Sequence, residues 1–285
     1  MGSRSLQVGG SAVFRASVAL LDKARRLAAH LLAASESDMR RLEGRIGVGG
    51  APELSLSWGE LAAAAADPSS LPPGMETGLR AQNDFEMEDS TYPFGAHVAV
   101  VEVDTETGKV KLVRHIAVDD CGRRINPMLV DGQVHGGIAQ GAAQALFESF
   151  VYDELGNPLT SSLATYAMPS AAEFPSFVTI PLTTPTARNP LGAKGVGEGG
   201  TIGAGPAVQN AVIDALSHLG IRHIDMPMSP DRVWRAMNDA LRGEPAGSEK
   251  GEAHGAAGPE WFDRGNRHAH AERYVDRREV PPKIR

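Results

Sequence analysis

The chain has 285 residues, 42% hydrophobic and 22% charged, with a net charge of −7; it can form one large or two ordinary soluble domains, and its acidity argues against nucleic acid as the main partner, since phosphate binding needs a basic face. The single cysteine, Cys121, excludes an intrachain disulfide and an all-cysteine metal site. No run is long and apolar enough to span a membrane, and the start "MGSRSLQVGG" lacks the apolar stretch of a signal peptide, so the cytoplasm is the expected compartment.

Residues 11–35 place Val13, Val18, Leu21, Leu27 and Leu31 near helical spacing, with Lys23, Arg25 and Arg26 on the other side. This predicts an amphipathic helix with Ser11 as N-cap. In "LSWGELAAAAAD", Ser57 and Glu60 form a capping box before a short alanine helix. Residues 67–93 are polar and proline-rich and read as a long surface connection ending in an extended segment.

A hairpin follows. Val98, Val100 and Glu102 alternate with Ala99, Val101 and Val103, "DTETGK" turns, and Val110, Leu112 and Val118 return. Asn126 and Pro127 then supply an N-cap and a first helical residue. Gly132, Gly136, Gly137 and Gly141 lie inside that helix, at about 1 kcal/mol each relative to alanine. Such a helix needs close approach to something, either a neighbouring backbone or a ligand. Gln133, His135 and Gln140 lie near the glycine faces, and amides suit a ligand with mixed polar edges such as a pterin or a base; tight helix–helix contact explains the glycines equally well. "GNP" at 156–158 is a turn and 176–184 a strand.

"NPLGAKGVGEGGTIGAGP", residues 189–206, holds seven glycines around one carboxylate, Glu198. Successive bare N–H groups can cradle a polyanion, although a flexible linker with a solvated glutamate has the same composition. The run is neither a P-loop nor a dinucleotide fingerprint. Pro206 is expected to open the following helix, with Val208, Val212, Ala215 and Leu216 on its apolar side, and Ser229 and Pro230 to start a last one. From about residue 243 to 285 the chain is charged on both signs without periodicity, and reads as a disordered or partner-dependent tail beside a folded domain over 1–242. Cys121 is the commonplace small buried hydrophobe, unless Arg123 and Arg124 lower its pKa. No metal-ligand spacing and no nucleophile elbow is present. The residues by themselves describe a soluble α+β chain with two glycine-rich surfaces.

"NPLGAKGVGEGGTIGAGPAVQNAVIDAL", "VDDCGRRINPMLVDGQVHGGIAQG" and "GSRSLQVGGSA" resemble three segments of the molybdenum hydroxylases, which include xanthine dehydrogenases, aldehyde oxidoreductases and aerobic carbon monoxide dehydrogenases. "VDDCGRRINP" and "HIDMPMSPDRVWRAM" lean toward the carbon monoxide dehydrogenase branch. The resemblance covers roughly residues 2–242. It implies an α+β molybdenum-cofactor-binding domain, with mixed sheets packed by helices, from the C-terminal half of a large subunit. Ser3, Arg4, Ser5, Cys121, Gln133, Gln140 and the run Lys194, Gly195, Val196 and Gly197 would contact a molybdopterin cytosine dinucleotide. Glu198 would be the general base beside the metal. The implied reaction oxidises carbon monoxide, an aldehyde or an N-heterocycle with water as oxygen source. FAD and [2Fe–2S] clusters would sit on medium and small partner subunits, since one cysteine cannot ligate a cluster. The upstream half of the large subunit would be a further partner, without which activity is not expected. A truncated, non-catalytic remnant or interaction protein is the alternative.

Overall fold

The computed structural model describes residues 3–243; the tail expected beyond that point lies outside the described residues. The chain opens with a widened π turn, Ser5–Gly10, that runs straight into α1 (Ser11–Leu31). Ser11 is therefore inside continuous helix rather than at its cap: it is fully buried and its Oγ has no hydrogen-bond partner. The buried stripe of α1 also differs from the expected one. Val13, Val18 and Leu31 stay exposed, and Ala24, Leu27, Ala28 and Ala29 carry the contact, because the second half of the helix meets a neighbour that its alanines let approach closely.

That neighbour is a meander for which the sequence pattern predicts no element. β1 (Met39–Leu42), β2 (Arg45–Val48) and β3 (Ala51–Ser57) pair antiparallel in chain order. With α1 and α2 (Trp58–Ala66) they enclose a first core around Leu27, Met39, Ile46 and Leu61. The capping box of α2 forms as expected: Ser57 Oγ accepts from the Glu60 N–H and Glu60 Oε2 accepts from the Ser57 N–H. The connection to residue 93 has little regular structure, and Leu71, Met75 and Leu79 hold it to the first core.

The second core lies on a mixed sheet. β4 (Phe94–Val103) and β5 (Val110–Asp120) form the expected hairpin, and β6 (Val178–Leu182) joins β5 in parallel. Ala99 and Val101 point to the core as the alternation demands. A bulge leaves Val113 unpaired, since Leu112 faces Val101 and Arg114 faces Val100. One extra residue reverses the alternation. Beyond it His115 and Ala117 are buried, and Val118 loses the inward place expected for it.

α3 (Pro127–Leu146) starts at the Asn126 cap, whose Oδ1 accepts from the Leu129 N–H. It runs beside α4, and α5 (Pro230–Leu241) completes the second core with Val233 and Met237. α4 spans Gly199–Leu216, seven residues longer at its start than expected, with Pro206 inside it. Half of the glycine run is thus helix. Its glycines are tolerated because α3 meets α4 backbone to backbone: a Cβ on Gly137 would fall 2.8 Å from the Thr201 nitrogen, and one on Gly141 2.7 Å from the Thr201 oxygen. Among the described residues no helix is long and apolar enough to cross a membrane.

The four α3 glycines therefore separate by position. Gly137→Ala should cost about 1–3 kcal/mol through overpacking, whereas Gly136→Ala, with open space at its Cβ, should stabilise by roughly 0.5–1 kcal/mol through helix propensity. Urea denaturation of the two variants checks the opposite signs.

Candidate functional site

The start of α4, the last residues of β5 and the first of β4 surround a cavity of about 700 Å³. The π turn closes one side of it through Ser3, Arg4 and Gln7, and residues 85–95 close another. The cavity brings together Ser3, Arg4, Cys121, Gly195, Val196 and Glu198 from three separate stretches of chain.

Ser3 holds the glycine run. Its Oγ accepts from the backbone N–H groups of Val196 at 3.1 Å and Gly197 at 3.3 Å. A Cβ at Gly195 would meet the Ser3 side chain at 2.9 Å, which makes glycine necessary there. Gln7, which sequence reasoning did not select, anchors Ser3: its Nε2 donates to the Ser3 carbonyl and its Oε1 accepts from Thr91. Only its place on the inner side of the π turn marks it, and that turn has no sequence signature.

Lys194 is committed to a buried ion pair. Its Nζ lies 2.9 Å from Asp120 Oδ1, with both side chains nearly solvent-free, and its backbone N–H donates to the Cys121 carbonyl. Burial pushes the Asp120 carboxyl up, but Thr184, Lys194 and the Gly122 N–H outweigh it and hold it below the usual value. Gly122 sits at φ +69° with the Gly192 carbonyl where a Cβ would be. Cys121 is buried. Burial and then Asp120 push its thiol up against the smaller opposing pull of Arg124, so the lowering weighed from sequence does not occur.

Glu198 is the N-cap residue of α4. Its carbonyl accepts from the Ile202 N–H, while its exposed carboxylate makes no capping bond. The helix dipole therefore ends on its own backbone. Ser5 and Gly197 adjoin the cavity without lining it. Gln133 and Gln140 stand on the exposed side of α3, outside the cavity wall.

A hydrogen-bonded chain missed by sequence reasoning forms part of the wall. Asp119 Oδ1 and Oδ2 both lie 3.2 Å from His97 Nε2, and His97 Nδ1 lies 3.2 Å from Nε2 of fully buried His115. His97 shares the inward alternation of Ala99 and was legible in principle; His115 was hidden by the bulge.

The residues at one corner fit an anionic group. Two adjacent N–H groups converge on a single oxygen, bare backbone replaces side chains at Gly195, and Arg4 is the one Lys or Arg among the cavity-lining residues. That corner suits a phosphate-bearing group. Acidic side chains also line the cavity, Glu86 and Glu88 from the 85–95 segment and Glu198 beside the glycine run.

Comparison with known proteins agrees. The molybdopterin cofactor-binding domain family matches residues 1–175. The chain is 42% identical over 234 residues to the carbon monoxide dehydrogenase large chain of Afipia carboxidovorans, covering 82% of this chain and 29% of that one. It is 38% identical over 237 residues to the nicotine 6-hydroxylase large subunit of Paenarthrobacter nicotinovorans, again covering 83% and 29%. Its fold superposes on quinoline 2-oxidoreductase from Pseudomonas putida 86 with a TM-score of 0.77 and 35% identity, over 84% of this chain and 30% of the other. The chain thus spans under a third of the length of these relatives.

Burial lowers the pKa of His115 from the usual 6.5 to about 4, helped by neighbouring His97 and opposed by Asp119. Between those values the unfolded chain binds a proton that the folded chain does not, so stability should be complete above about pH 6.5 and fall as the pH drops toward 4. Urea midpoints from pH 7 to 4.5 should show this slope in the parent and a shallower one in His115→Gln.

Proposed function

The chain belongs to the molybdopterin cofactor-binding family, as a portion of a molybdenum hydroxylase large subunit, and on that premise we propose that it holds the dinucleotide end of the cofactor and contributes the catalytic base of an oxidoreductase. Arg4 and Ser3, whose Oγ is held by the Val196 and Gly197 N–H groups, would bind the phosphate-bearing part, with Gly195 providing the room and Cys121 touching the ring system. When bound, the cofactor supplies two-electron oxidation of a small substrate, with water as the source of oxygen. The substrate is carbon monoxide, an aldehyde or an N-heterocycle, the classes met in the relatives.

The observation that carries the base assignment is the position of Glu198. Its carboxylate stands at the cavity mouth on the first turn of α4, and α3 holds that turn still. It has no hydrogen bond capping its own helix, which leaves Oε1 and Oε2 available to accept a proton. The buried Asp120–Lys194 pair keeps the neighbouring ammonium away from it.

Electrons would leave this chain for partner subunits, since its single cysteine cannot ligate a [2Fe–2S] cluster. Partner subunits with FAD and [2Fe–2S] clusters, and a polypeptide corresponding to the rest of the large subunit, complete the proposal. The dinucleotide would be the cytosine form, and the compartment the cytoplasm. Gln133 and Gln140, exposed on α3 outside the cavity wall, would contact the cofactor only if it extends beyond that wall.

Glu198→Gln keeps size and most hydrogen bonding and removes proton acceptance. In the assembled complex, the reductive half-reaction per bound molybdenum should slow by about 10²–10⁴-fold, the usual worth of a general base, with cofactor content nearly unchanged. An unchanged rate would return Glu198 to a solvated helix cap and leave a cofactor-holding or non-catalytic role.

A further inference from the structure

The chain Asp119–His97–His115 runs from the cavity wall into the interior, ending at fully buried His115. Asp119 retains some exposure, with 16% of its side chain accessible, while His97 has 2% and His115 none. The glycines around it leave it room. A Cβ on Gly203 of α4 would strike the His97 ring at 2.7 Å, and one on Gly95 of β4 would collide with Asp119 Oδ1. At each site a side chain is missing where the relay runs.

The protons can be placed by elimination. A neutral imidazole has one donor and one acceptor nitrogen, and the partner of one nitrogen sets the state of the other. His115 Nδ1 is buried with no hydrogen-bond partner, and the Phe177 ring stands edge-on 6.1 Å away. A buried unpaired N–H is the rarer and costlier state than a bare acceptor. The single proton of His115 therefore belongs on Nε2, where it is donated to His97 Nδ1. That makes Nδ1 of His97 an acceptor and places its own proton on Nε2, facing both Asp119 oxygens.

We propose that His115 and His97 are positioning residues, a two-imidazole relay that fixes the tautomer of His97 and so aims the Asp119 carboxylate into the cavity as an acceptor for N–H or O–H donors of the bound group. Asp119 touches the cavity, and the two histidines act through it. The charged and titratable groups facing the relay are Asp119 from β5 and, beyond Phe177, His135 of α3, whose ring is 5.9 Å from Phe177; from α4, Gly203 lies against His97 and Gly199 against Asp119. The relay rests on geometry alone and stands whether or not the occupant is the cofactor, so the identity of the ligand and the relay fail separately.

Two-bond ¹H–¹⁵N spectra of the full chain with ¹⁵N-labelled histidine read the tautomers directly at pH 7. Both His97 and His115 are expected as Nε2–H forms. His115 in the Nδ1–H form, or as a mixture, overturns the proposal, and this measurement needs no variant. The variants then test the coupling. His115→Gln keeps an N–H donor near the position of Nε2 and should retain the Nε2–H signature of His97. His115→Met fills the space without a donor, and His97 should lose its single tautomer, shifting to at least a tenth Nδ1–H. An unchanged His97 signature in folded His115→Met overturns the relay. If that variant does not fold, the parent spectrum together with His115→Gln decides.

Discussion

The close approach of α3 and α4 is the contact on which the site depends. Gly137 and Gly141 on one helix and Gly200 on the other bring the two backbones together at the crossing, and Thr201 Oγ1 donates to the Gly137 carbonyl through the gap. Helices usually stand 8–10 Å apart with side chains between them. Here backbone meets backbone, so α4 has little freedom to slide or turn. Its first residue is thereby placed beside the end of β5, with Glu198 at the cavity mouth and Gly203 beneath His97. Each glycine costs conformational entropy, and that cost is offset only where the missing side chain admits a neighbour.

The segment leading into α4 would be loose on composition alone. It is held by three polar ties. Asn189 is buried and bonds both ways to Ala193, Lys194 is locked to Asp120 by its side chain and to Cys121 by its backbone, and Ser3 holds Val196 and Gly197. A buried ion pair adds little net stability after desolvation, but breaking it leaves an uncompensated charge. Its use here is positional: it joins β5 to the residues that precede Glu198. The three ties come from positions 3, 120–121 and 189, far apart in the chain.

The polar interior also divides by depth. The Asp120–Lys194 ion pair is enclosed, Asp119 reaches the cavity, and His115 stays neutral because its burial, with His97 beside it, outweighs the opposing pull of Asp119. Charged groups near the cavity and a neutral one beneath them follow from the rising cost of charge with distance from water.

Elements whose signals are local were legible in the sequence. The hairpin alternation, the Ser57–Glu60 box, the Asn126–Pro127 start and the Pro230 start each depend on neighbours within a few residues. The resemblance of three segments identified the family, although the geometry did not bring all its expected residues to one place: Gln133 and Gln140 stay on the open side of α3. What escaped the sequence depends on distant partners. The meander at 39–57 has strands too short and too interrupted by glycine and charge to show a period. The bulge at Val113 reversed the alternation and hid His115. The early start of α4 depends on glycines that favour helix only because α3 supplies the opposing surface. The sequence alone determined the chemistry available at each position, since side-chain type decides donor, acceptor and charge. Tertiary structure alone decided which of them meet, because long-range contact, not local propensity, sets where a glycine is open space and where it is a passage.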